Sequence, residues 1–275
     1  MADRPPMYPY RDALPAVVYW PYRALRTAGV ALCFAGFWTA VVVIGWLWLP
    51  LAWAWPGDRA TKSRRVHRVA RRGFTVFHDV MAALRLYRRT SPVRTVRPAG
   101  SPVVLIANHP TLCDVTSIVS WFPDVVAIAR PGFASHPLLA PVVRACGFIS
   151  TGSRVLRDGE ERLRMGFDVL VFPEGTRTPL HGPPNPVHRG AFELAARAGV
   201  PIVLLKLTCE PAALSKRLPI WKIADHTAVL TIEPIATLAP PRAGDREHGS
   251  REMCRAIEQR YRELLGYATP PGGGA

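Results

Sequence analysis

A histidine and an aspartate at short spacing follow an apolar run near the middle of the chain. Val103–Ile106 is followed by Asn108 and His109, and Asp114 comes five residues after the histidine. The run is continuous and rich in β-branched residues, which predicts a strand buried on both faces. Ligands of open α/β sheets bind beyond the carboxyl ends of strands, where this imidazole would lie. A histidine can take a proton from a hydroxyl near neutral pH, and a carboxylate on its second nitrogen fixes the tautomer.

The rest of the chain narrows the type of reaction. It contains no GxSxG elbow, and none of its cysteines has the sequence context of a nucleophile. We therefore expect His109 to act as a general base directly on a substrate hydroxyl, with Asp114 orienting it and without a covalent enzyme intermediate. A histidine and an aspartate at this spacing also occur by chance, so further evidence must come from elsewhere in the sequence.

A second polar loop follows another buried strand. Asp168–Phe172 is apolar after its first residue and leads into the sequence PEGTRT. Its glycine allows backbone to approach a ligand closely, Arg177 can fork onto phosphate oxygens, and Glu174 can order a hydroxyl or a basic neighbour. An ordinary ion pair between Glu174 and Arg177 at the rim of a turn is the alternative. Two polar loops at the ends of two strands predict a cleft between them.

Strand and helix patterns alternate from Ser101 onward. The predicted strands are Val103–Ile106, Val125–Ala129, Val169–Phe172, Ile202–Leu207 and Ala228–Ile232. The predicted helices are Val115–Trp121, Leu138–Cys146, Gly159–Met165, Gly190–Ala198 and Arg246–Leu265, the last with Met253, Ile257, Tyr261 and Leu264 on one face. This alternation predicts an α/β fold with a mostly parallel central sheet flanked by helices.

The N-terminal part has a different composition. No charged residue occurs from Thr27 to Gly57, which is long enough for a helix to cross the hydrocarbon core of a membrane. Tryptophans crowd its far end, as in an interfacial aromatic belt. The pattern fits a single span or a re-entrant helix pair hinged near Gly45 or Pro50, and a buried helix of a soluble core is the alternative. The preceding arm, residues 1–22, lacks a signal-peptide plan and is expected to be loose.

The next segment, Arg59 to Arg94, is basic, and its apolar residues recur at near-helical intervals. This predicts one or two amphipathic helices on an anionic membrane surface, although each arginine could instead belong to a solvated helix face. The net charge of +15 also indicates an anionic partner. We expect three parts: an arm and membrane-embedded helical segment at 1–58, basic interfacial helices at 59–98, and an α/β domain at 99–275.

Charge and cysteine patterns limit location and partners. Positive residues directly after an apolar segment favour an inner (cytoplasmic) membrane location with the α/β domain facing the cytoplasm. Nucleic acid is not expected as a partner, because RNP-like, zinc-finger and helix-turn-helix patterns are missing from the sequence. The five cysteines are scattered without a CxxC pair, which predicts neither a metal site nor a disulfide framework.

The two polar loops together resemble the glycerolipid acyltransferases, a family that includes the 1-acylglycerol-3-phosphate O-acyltransferases. Asn108, His109 and Asp114 match NHxxxxD, and Phe172–Arg177 reads FPEGTR. GFISTGSR, ending at Arg154, is similar to the family's intervening motif, and VPIV, starting at Val200, is similar to its last. The four blocks occur in the family's order, and the resemblance covers residues 101–233.

The resemblance implies acyl transfer from acyl-CoA or acyl-carrier protein, as substrates rather than cofactors, to a hydroxyl of a lysophospholipid-type membrane lipid such as 1-acylglycerol-3-phosphate. His109 would be the general base and Asp114 its orienting partner. The resemblance also implies a set of acceptor-binding residues: Asn108, Arg154, Glu174, Gly175, Thr176 and Arg177. No metal or cofactor is implied.

Departures from the family pattern leave the acceptor open. Pro110 follows the histidine, where members often have a polar residue, and Leu204 replaces a proline found after the last motif in many members. Acylation of lyso-ornithine lipids or of polyene and pigment lipids is therefore an alternative. A thioester hydrolase and a non-catalytic lipid-binding protein of the same fold also remain open.

Several polar residues around the second loop have less defined roles. The proline-rich loop Thr178–Arg189 could be a lid or an ordered connection. Arg130 could face the cleft or lipid. Four other histidines are interpreted as surface or loop residues: His136, His181, His188 and His226.

Overall fold

A seven-stranded sheet forms the centre of the described part of the chain. The computed structural model describes residues 7–98, 100–180, 184–216, 218–240 and 246–264. The strands are β1 (Tyr87–Thr90), β2 (Val104–Ala107), β3 (Val125–Ala129), β4 (Ile149–Ser150), β5 (Asp168–Val171), β6 (Ile202–Glu210) and β7 (Ala228–Leu238). Their order across the sheet is β1-β7-β6-β2-β5-β3-β4.

Five adjacent strands, from β6 to β4, run parallel, so their carboxyl ends lie along one edge of the sheet. β7 is antiparallel to β6, and β1 is parallel to β7. The prediction of a mostly parallel sheet is therefore confirmed. β1 and β4 were not predicted, and both lie at the edges of the sheet.

Helices cover both faces of the sheet. They are α1 (Ala16–Val43), α2 (Leu49–Ala54), α3 (Arg59–Ala83), α4 (Asp114–Trp121), α5 (Pro131–Ser135), α6 (Ala140–Ala145), α7 (Val155–Arg164), α8 (Gly190–Ala198) and α9 (Arg246–Leu264). Leu105 of β2 packs in a core shared with α1, α3 and α4. Val104 and Ile106 point the other way, into a core shared with α7, α8 and α9. Because both faces are covered, β2 is apolar at every position.

The apolar N-terminal segment forms one helix. A π-helical segment (Ile44–Trp48) joins α1 to α2, and the combined helix, Ala16–Ala54, is long and apolar enough to cross a membrane. Only 22% of its most apolar window is buried, which does not fit the buried core helix considered as an alternative. The chain stays helical through Gly45 and Pro50, and the π-helical segment lies where the hinge of a re-entrant pair was predicted. Gly45 permits close packing, since an added Cβ would lie 2.7 Å from Val142.

The start of α1 is fixed to the α/β domain. The buried carboxylate of Asp225 accepts hydrogen bonds from the backbone N–H of Tyr10 at 3.1 Å and from Arg23 at 3.4 Å. The buried guanidinium of Arg26 donates to the carbonyl of Ala224 at 3.0 Å. The described part of the N-terminal arm is therefore bound to the loop before β7, and the prediction of a loose arm is wrong there.

α3 connects the N-terminal helix to the sheet. Asp58 caps it by accepting a 2.7 Å hydrogen bond from the N–H of Thr61. Its buried apolar residues recur at helical spacing: Val66, Ala70, Phe74, Phe77 and Met81. α3 ends at Ala83 and β1 then joins the sheet. The sheet therefore begins before the boundary expected at residue 99, and the Arg59–Arg94 segment is not entirely helical.

Candidate active site

The predicted histidine and aspartate meet at the carboxyl end of β2. The loop after β2 carries His109, and Asp114 is the first residue of α4. Nδ1 of His109 lies 2.7 Å from Oδ2 of Asp114, whose side chain is completely buried. The first turn of a helix favours a carboxylate, because the backbone N–H groups there have no partners within the helix.

Asp114 is held by further hydrogen bonds. Its Oδ2 accepts from the backbone N–H of Thr111 at 2.8 Å, and its Oδ1 accepts from the Thr111 hydroxyl. An ionised carboxylate can only accept, so His109 donates through Nδ1 and its Nε2 keeps a lone pair. The imidazole is thus in the tautomer required to remove a proton from a hydroxyl.

The imidazole ring is also fixed on one face. Phe172, the first residue of the FPEGTR sequence, stacks on His109 with ring centroids 4.2 Å apart and planes 22° from parallel. The His109 side chain remains 18% exposed. Stacking together with the hydrogen bond to Asp114 leaves the ring one orientation, with an accessible edge.

The two polar loops contact each other directly. The N–H of His109 donates to the Thr178 hydroxyl at 2.9 Å, and the N–H of Thr178 donates to the His109 carbonyl at 2.7 Å. The Thr178 hydroxyl donates in turn to Glu174. Glu174 also accepts two hydrogen bonds from Asn185, at 2.8 and 3.2 Å. The two polar loops, which were predicted to flank a cleft, are therefore connected to each other by hydrogen bonds.

These contacts change the interpretation of Glu174. Its side chain is 4% exposed, and both carboxylate oxygens are occupied by Thr178 and Asn185. Arg177 donates to the carbonyl of Leu214 at 3.1 Å, so the alternative ion pair between Glu174 and Arg177 does not form. Through Thr178, Glu174 is thus connected to the first loop, and its contact with the acceptor stays a prediction.

Asn108 is also a positioning residue in the structure. Its amide donates to the carbonyl of Leu207 at 2.8 Å and accepts from the Leu207 N–H at 2.7 Å, and the residue is 2% exposed. The side chain thus continues the pairing of β2 with β6 for one more position. The contact of Asn108 with substrate stays a prediction.

Three arginines lie along the edge formed by the carboxyl ends of the parallel strands. Arg130, directly after β3, donates to the carbonyl of Gly175 at 2.6 Å. Arg177 lies in the second loop, and Arg154 is exposed at the start of α7. β4, which precedes Arg154, is three strands from β2, or about 14 Å at the usual strand spacing. Gly175 is exposed with a φ of 62°, and Thr176 is half-buried.

The loop after FPEGTR is attached to it over its described residues. Besides the Asn185 contacts with Glu174, the N–H of His188 donates to the carbonyl of Pro173 at 2.9 Å. These bonds favour an ordered connection over a lid. His136 and His188 are exposed, His226 is half-buried, and His181 lies outside the described residues.

A cleft opens beside the His109 loop, between the ends of β2 and β6. Its lining includes Pro110, Thr178, Pro179, Thr208, Glu210 and Ser215. Within the described ranges, the histidine, cysteine and acidic side chains form no group of three that could hold a metal ion.

Four supporting residues were missed by the sequence reasoning: Phe172 as a stacking partner, and Thr111, Thr178 and Asn185 as hydrogen-bonding partners. Thr111 and Thr178 lie within or next to the two polar loops, so their positions in the sequence could have indicated that they support the site. Asn185 contacts Glu174 across a connecting loop, for which the sequence pattern gives no indication.

The chain was compared with known proteins. A family model described as Acyltransferase matches residues 89–205. The chain is 30% identical over 192 residues to the human 1-acyl-sn-glycerol-3-phosphate acyltransferase alpha, covering 64% of this chain and 67% of that protein. A chloroplastic 1-acyl-sn-glycerol-3-phosphate acyltransferase from Brassica napus is 30% identical over 116 residues, which span 40% of this chain and one third (33%) of that relative.

A solved structure shares the fold. The crystal structure of the 1-acyl-sn-glycerophosphate acyltransferase from Thermotoga maritima superposes with a TM-score of 0.67 at 19% identity. The superposition covers 90% of this chain and 100% of that one.

Proposed function

This chain belongs to the acyltransferase family, and we propose that it is a membrane-associated O-acyltransferase that acylates the free hydroxyl of 1-acylglycerol-3-phosphate. One observation supports this proposal above the others. The His109–Asp114 pair is assembled at 2.7 Å, and the FPEGTR loop is bonded directly to its backbone through Thr178. A base with an accessible edge therefore lies beside a loop rich in polar groups.

The proposed reaction uses a single transfer step. Nε2 of His109 takes the proton of the acceptor hydroxyl as its oxygen attacks the thioester carbonyl of acyl-CoA or acyl-carrier protein. Asp114 stabilises the imidazolium that forms. The tetrahedral intermediate collapses with cleavage of the C–S bond, and the thiolate recovers the proton from His109. The products are the diacylated phosphate ester and the free thiol, and no metal or cofactor takes part.

The arginines favour an anionic acceptor. Arg177 lies next to the cleft, and Arg130 and Arg154 extend positive charge along the same edge of the sheet. One guanidinium group can donate two parallel hydrogen bonds to oxygens of the same phosphate. These arginines therefore suit a phosphorylated lysolipid better than a neutral polyene lipid. Among the three arginines, we propose that Arg177 binds the acceptor phosphate, because Arg177 is in the loop that contacts His109.

The apolar and basic surfaces suit an acceptor that stays in a bilayer. The outer side of Ala16–Ala54 exposes Leu32, Trp46, Trp48 and Leu51, each more than half exposed. Arg68 and Arg72 are exposed on α3, which follows directly. We propose that these elements hold the protein at the inner membrane, with the α/β domain on the cytoplasmic side.

Replacing the base tests the function. Purified protein in lipid micelles is given acyl-CoA and 1-acylglycerol-3-phosphate, and free thiol and diacylated product are both measured. We expect His109→Ala to lower turnover by about 10²–10⁴-fold, the scale of general-base catalysis, and Asp114→Asn to lower it substantially. Both variants should still sediment with membranes. Unchanged turnover in His109→Ala would contradict the proposal, and thiol release that does not need the acceptor would indicate a hydrolase.

A further inference from the structure

A series of buried polar side chains connects α3 and β1 to Asp114. The hydroxyl of Tyr87 lies 3.4 Å from the Thr111 hydroxyl and 3.5 Å from the Ser117 hydroxyl. Ser117 in turn lies 3.3 Å from Nε2 of His78, and Thr111 donates to Asp114. Each of the five side chains is at most 1% exposed. We call these five residues the Tyr87 network.

The hydrogen bonds in the Tyr87 network have a common direction. Thr116 gives its one hydroxyl proton to the carbonyl of Cys113 at 2.9 Å, so it accepts from Nε2 of His78 at 3.0 Å. Neutral His78 therefore carries its proton on Nε2. Thr111 likewise gives its proton to Asp114, so it accepts from Tyr87.

Tyr87, having donated to Thr111, can accept from Ser117, and Ser117 shares the one Nε2–H of His78 with Thr116, at 3.3 and 3.0 Å. The hydroxyls of Ser117, Tyr87 and Thr111 thus donate in series toward the Asp114 carboxylate. Aligned hydrogen bonds in a low-dielectric interior reinforce one another, and this direction stabilises a negative charge on Asp114. The Thr111 hydroxyl occupies Oδ1 of Asp114, while Oδ2 accepts from the Thr111 N–H and from Nδ1 of His109.

Burial keeps the donors neutral. Desolvation is the largest cause that raises the pKa of Tyr87 well above its ordinary value. Desolvation likewise lowers the pKa of His78 to about 3, with Arg89 acting in the same direction. Near neutral pH, both side chains therefore remain hydrogen-bond donors without net charge.

Simple packing does not account for these residues. Apolar side chains of similar size could fill the same space without introducing buried polar groups that require partners. Nδ1 of His78 is buried without a hydrogen-bond partner among the described residues, which is a cost that an apolar side chain would avoid.

We propose that Tyr87 and His78 are positioning residues for the His109–Asp114 pair, which makes α3 and β1 part of the active site as well as its attachment to the membrane. The Tyr87 network fixes the carboxylate of Asp114 so that Oδ2 faces His109. Neither residue touches the substrate in this proposal. The inference rests on the proposed function, because the reaction makes the orientation of His109 matter.

Conservative variants test the proposal by steady-state kinetics on the full chain in lipid micelles. Tyr87→Phe keeps the ring and removes the donor, and we expect kcat to fall about tenfold, the effect of losing one buried hydrogen bond, with KM nearly unchanged. Tyr22→Phe is the matched control, because the Tyr22 hydroxyl donates to the backbone carbonyl of Asp225 and is not part of the Tyr87 network. It should keep wild-type kcat. His78→Gln, which retains a donor, should preserve more kcat than His78→Leu.

A double-mutant cycle distinguishes positioning from general destabilisation. In an Asp114→Asn background, Tyr87→Phe should cost little further activity, because the carboxylate that it serves is already gone. If Tyr87→Phe lowers kcat by the same factor in both backgrounds, or leaves kcat unchanged in the wild type, the proposal is wrong.

A readout without turnover separates this proposal from the proposed function. The ring of His109, labelled with ¹⁵N and identified by loss of its signal in His109→Ala, reports the Nδ1–H bond to Asp114. We expect Tyr87→Phe to shift this signal in the same direction as Asp114→Asn, while Tyr22→Phe leaves it in place. A shift with no acyl transfer by wild-type protein would overturn the proposed function but support the network. An unshifted signal in Tyr87→Phe would overturn the network, whatever the activity.

Discussion

His109, the proposed base, is held in place by three residues. Asp114 binds one nitrogen at 2.7 Å, Phe172 covers one face of the ring at 4.2 Å, and Thr178 bonds both backbone polar groups of the histidine. A base held in one rotamer and one tautomer loses little entropy when substrate arrives. These three residues follow the ends of two neighbouring strands, so the fixed orientation of His109 depends on the pairing of β2 with β5.

Glu174 should be important for the stability of the fold as well as for activity. Glu174→Gln places an NH₂ group where both oxygens now accept hydrogen bonds, which leaves donors of Thr178 or Asn185 unmatched. We expect a loss of about 1–3 kcal/mol in the free energy of unfolding, since a buried donor without its acceptor bears its full desolvation cost. Thermal unfolding in detergent measures this loss, and kcat should fall with it.

The control for this variant is Glu193→Gln on α8. Glu193 pairs with Arg197 at 2.6 Å on a partly exposed helix surface, and such pairs contribute between 0 and about 1 kcal/mol. If the two variants unfold at the same temperature, Glu174 is not the anchor of the second loop that its contacts indicate.

The structure brings His109 and Asp114 together, as their spacing in the sequence predicts. The pairing of His109 with Asp114 needs only one short loop, which the spacing allows. The resemblance predicts that Asn108 binds the acceptor; the hydrogen bonds of its side chain to Leu207 of β6, nearly a hundred residues away, were not predicted. A side chain that pairs with a neighbouring strand cannot be recognised before the strand order is known, and the same reason applies to Glu174 and Asn185.

Among the elements, α3 combines an outer basic side with two buried histidines. His67 is 1% exposed, and desolvation is the largest cause that lowers its pKa to about 4; Arg71 and Arg162 act in the same direction, while Asp124 and the Cys146 carbonyl oppose it. The pKa in an unfolded chain is near 6.5. The folded protein therefore binds fewer protons than the unfolded chain between these values.

It follows that His67 makes the fold less stable as pH falls. Its contribution is complete above about pH 6.5 and is lost as pH drops toward 4, on the order of 2 kcal/mol between pH 7 and pH 5. Thermal unfolding of wild type and His67→Phe across this range checks the expectation, and the variant should show the weaker decline toward acid.

The pH profiles of wild type and His67→Phe must be compared, because Asp168 changes the stability of both proteins in the opposite direction as pH falls. Burial raises the pKa of Asp168 to about 6, so its contribution to stability grows as pH falls through that value. Asp168 is present in both proteins, and the difference between them isolates His67. Parallel pH profiles for wild type and His67→Phe would show that His67 is not held neutral by burial.

The elements that the sequence did not predict share a physical cause. β1 follows α3 so closely that its apolar residues continue the helical pattern, and β4 has two residues, too few to show a period. Both depend on pairing with a strand distant in sequence. The strands inside the sheet, in contrast, have continuous apolar runs, because helices cover them on both sides.

The molecule as a whole is asymmetric across its sheet. The apolar helix Ala16–Ala54 and α3 lie on one face, while α7, α8 and α9 cover the other. The proposed membrane-binding surface is therefore on the side of Asp114 and the Tyr87 network. The cleft beside the His109 loop lies at the ends of β2 and β6, and we propose that it receives both the lipid hydroxyl and the thioester.

This asymmetry predicts how the protein binds lipid vesicles. Reversing two exposed cations of α3, in Arg68→Glu/Arg72→Glu, should lower the preference for anionic over neutral vesicles by about 30-fold or more, since each surface cation contributes about 1 kcal/mol. The matched control, Arg251→Glu/Arg255→Glu, changes two exposed arginines of α9 on the opposite face and should retain the wild-type preference. Vesicle flotation measures both, and added salt should remove the difference. Equal losses in the two variants would show that net charge alone, rather than the face carrying α3, determines binding.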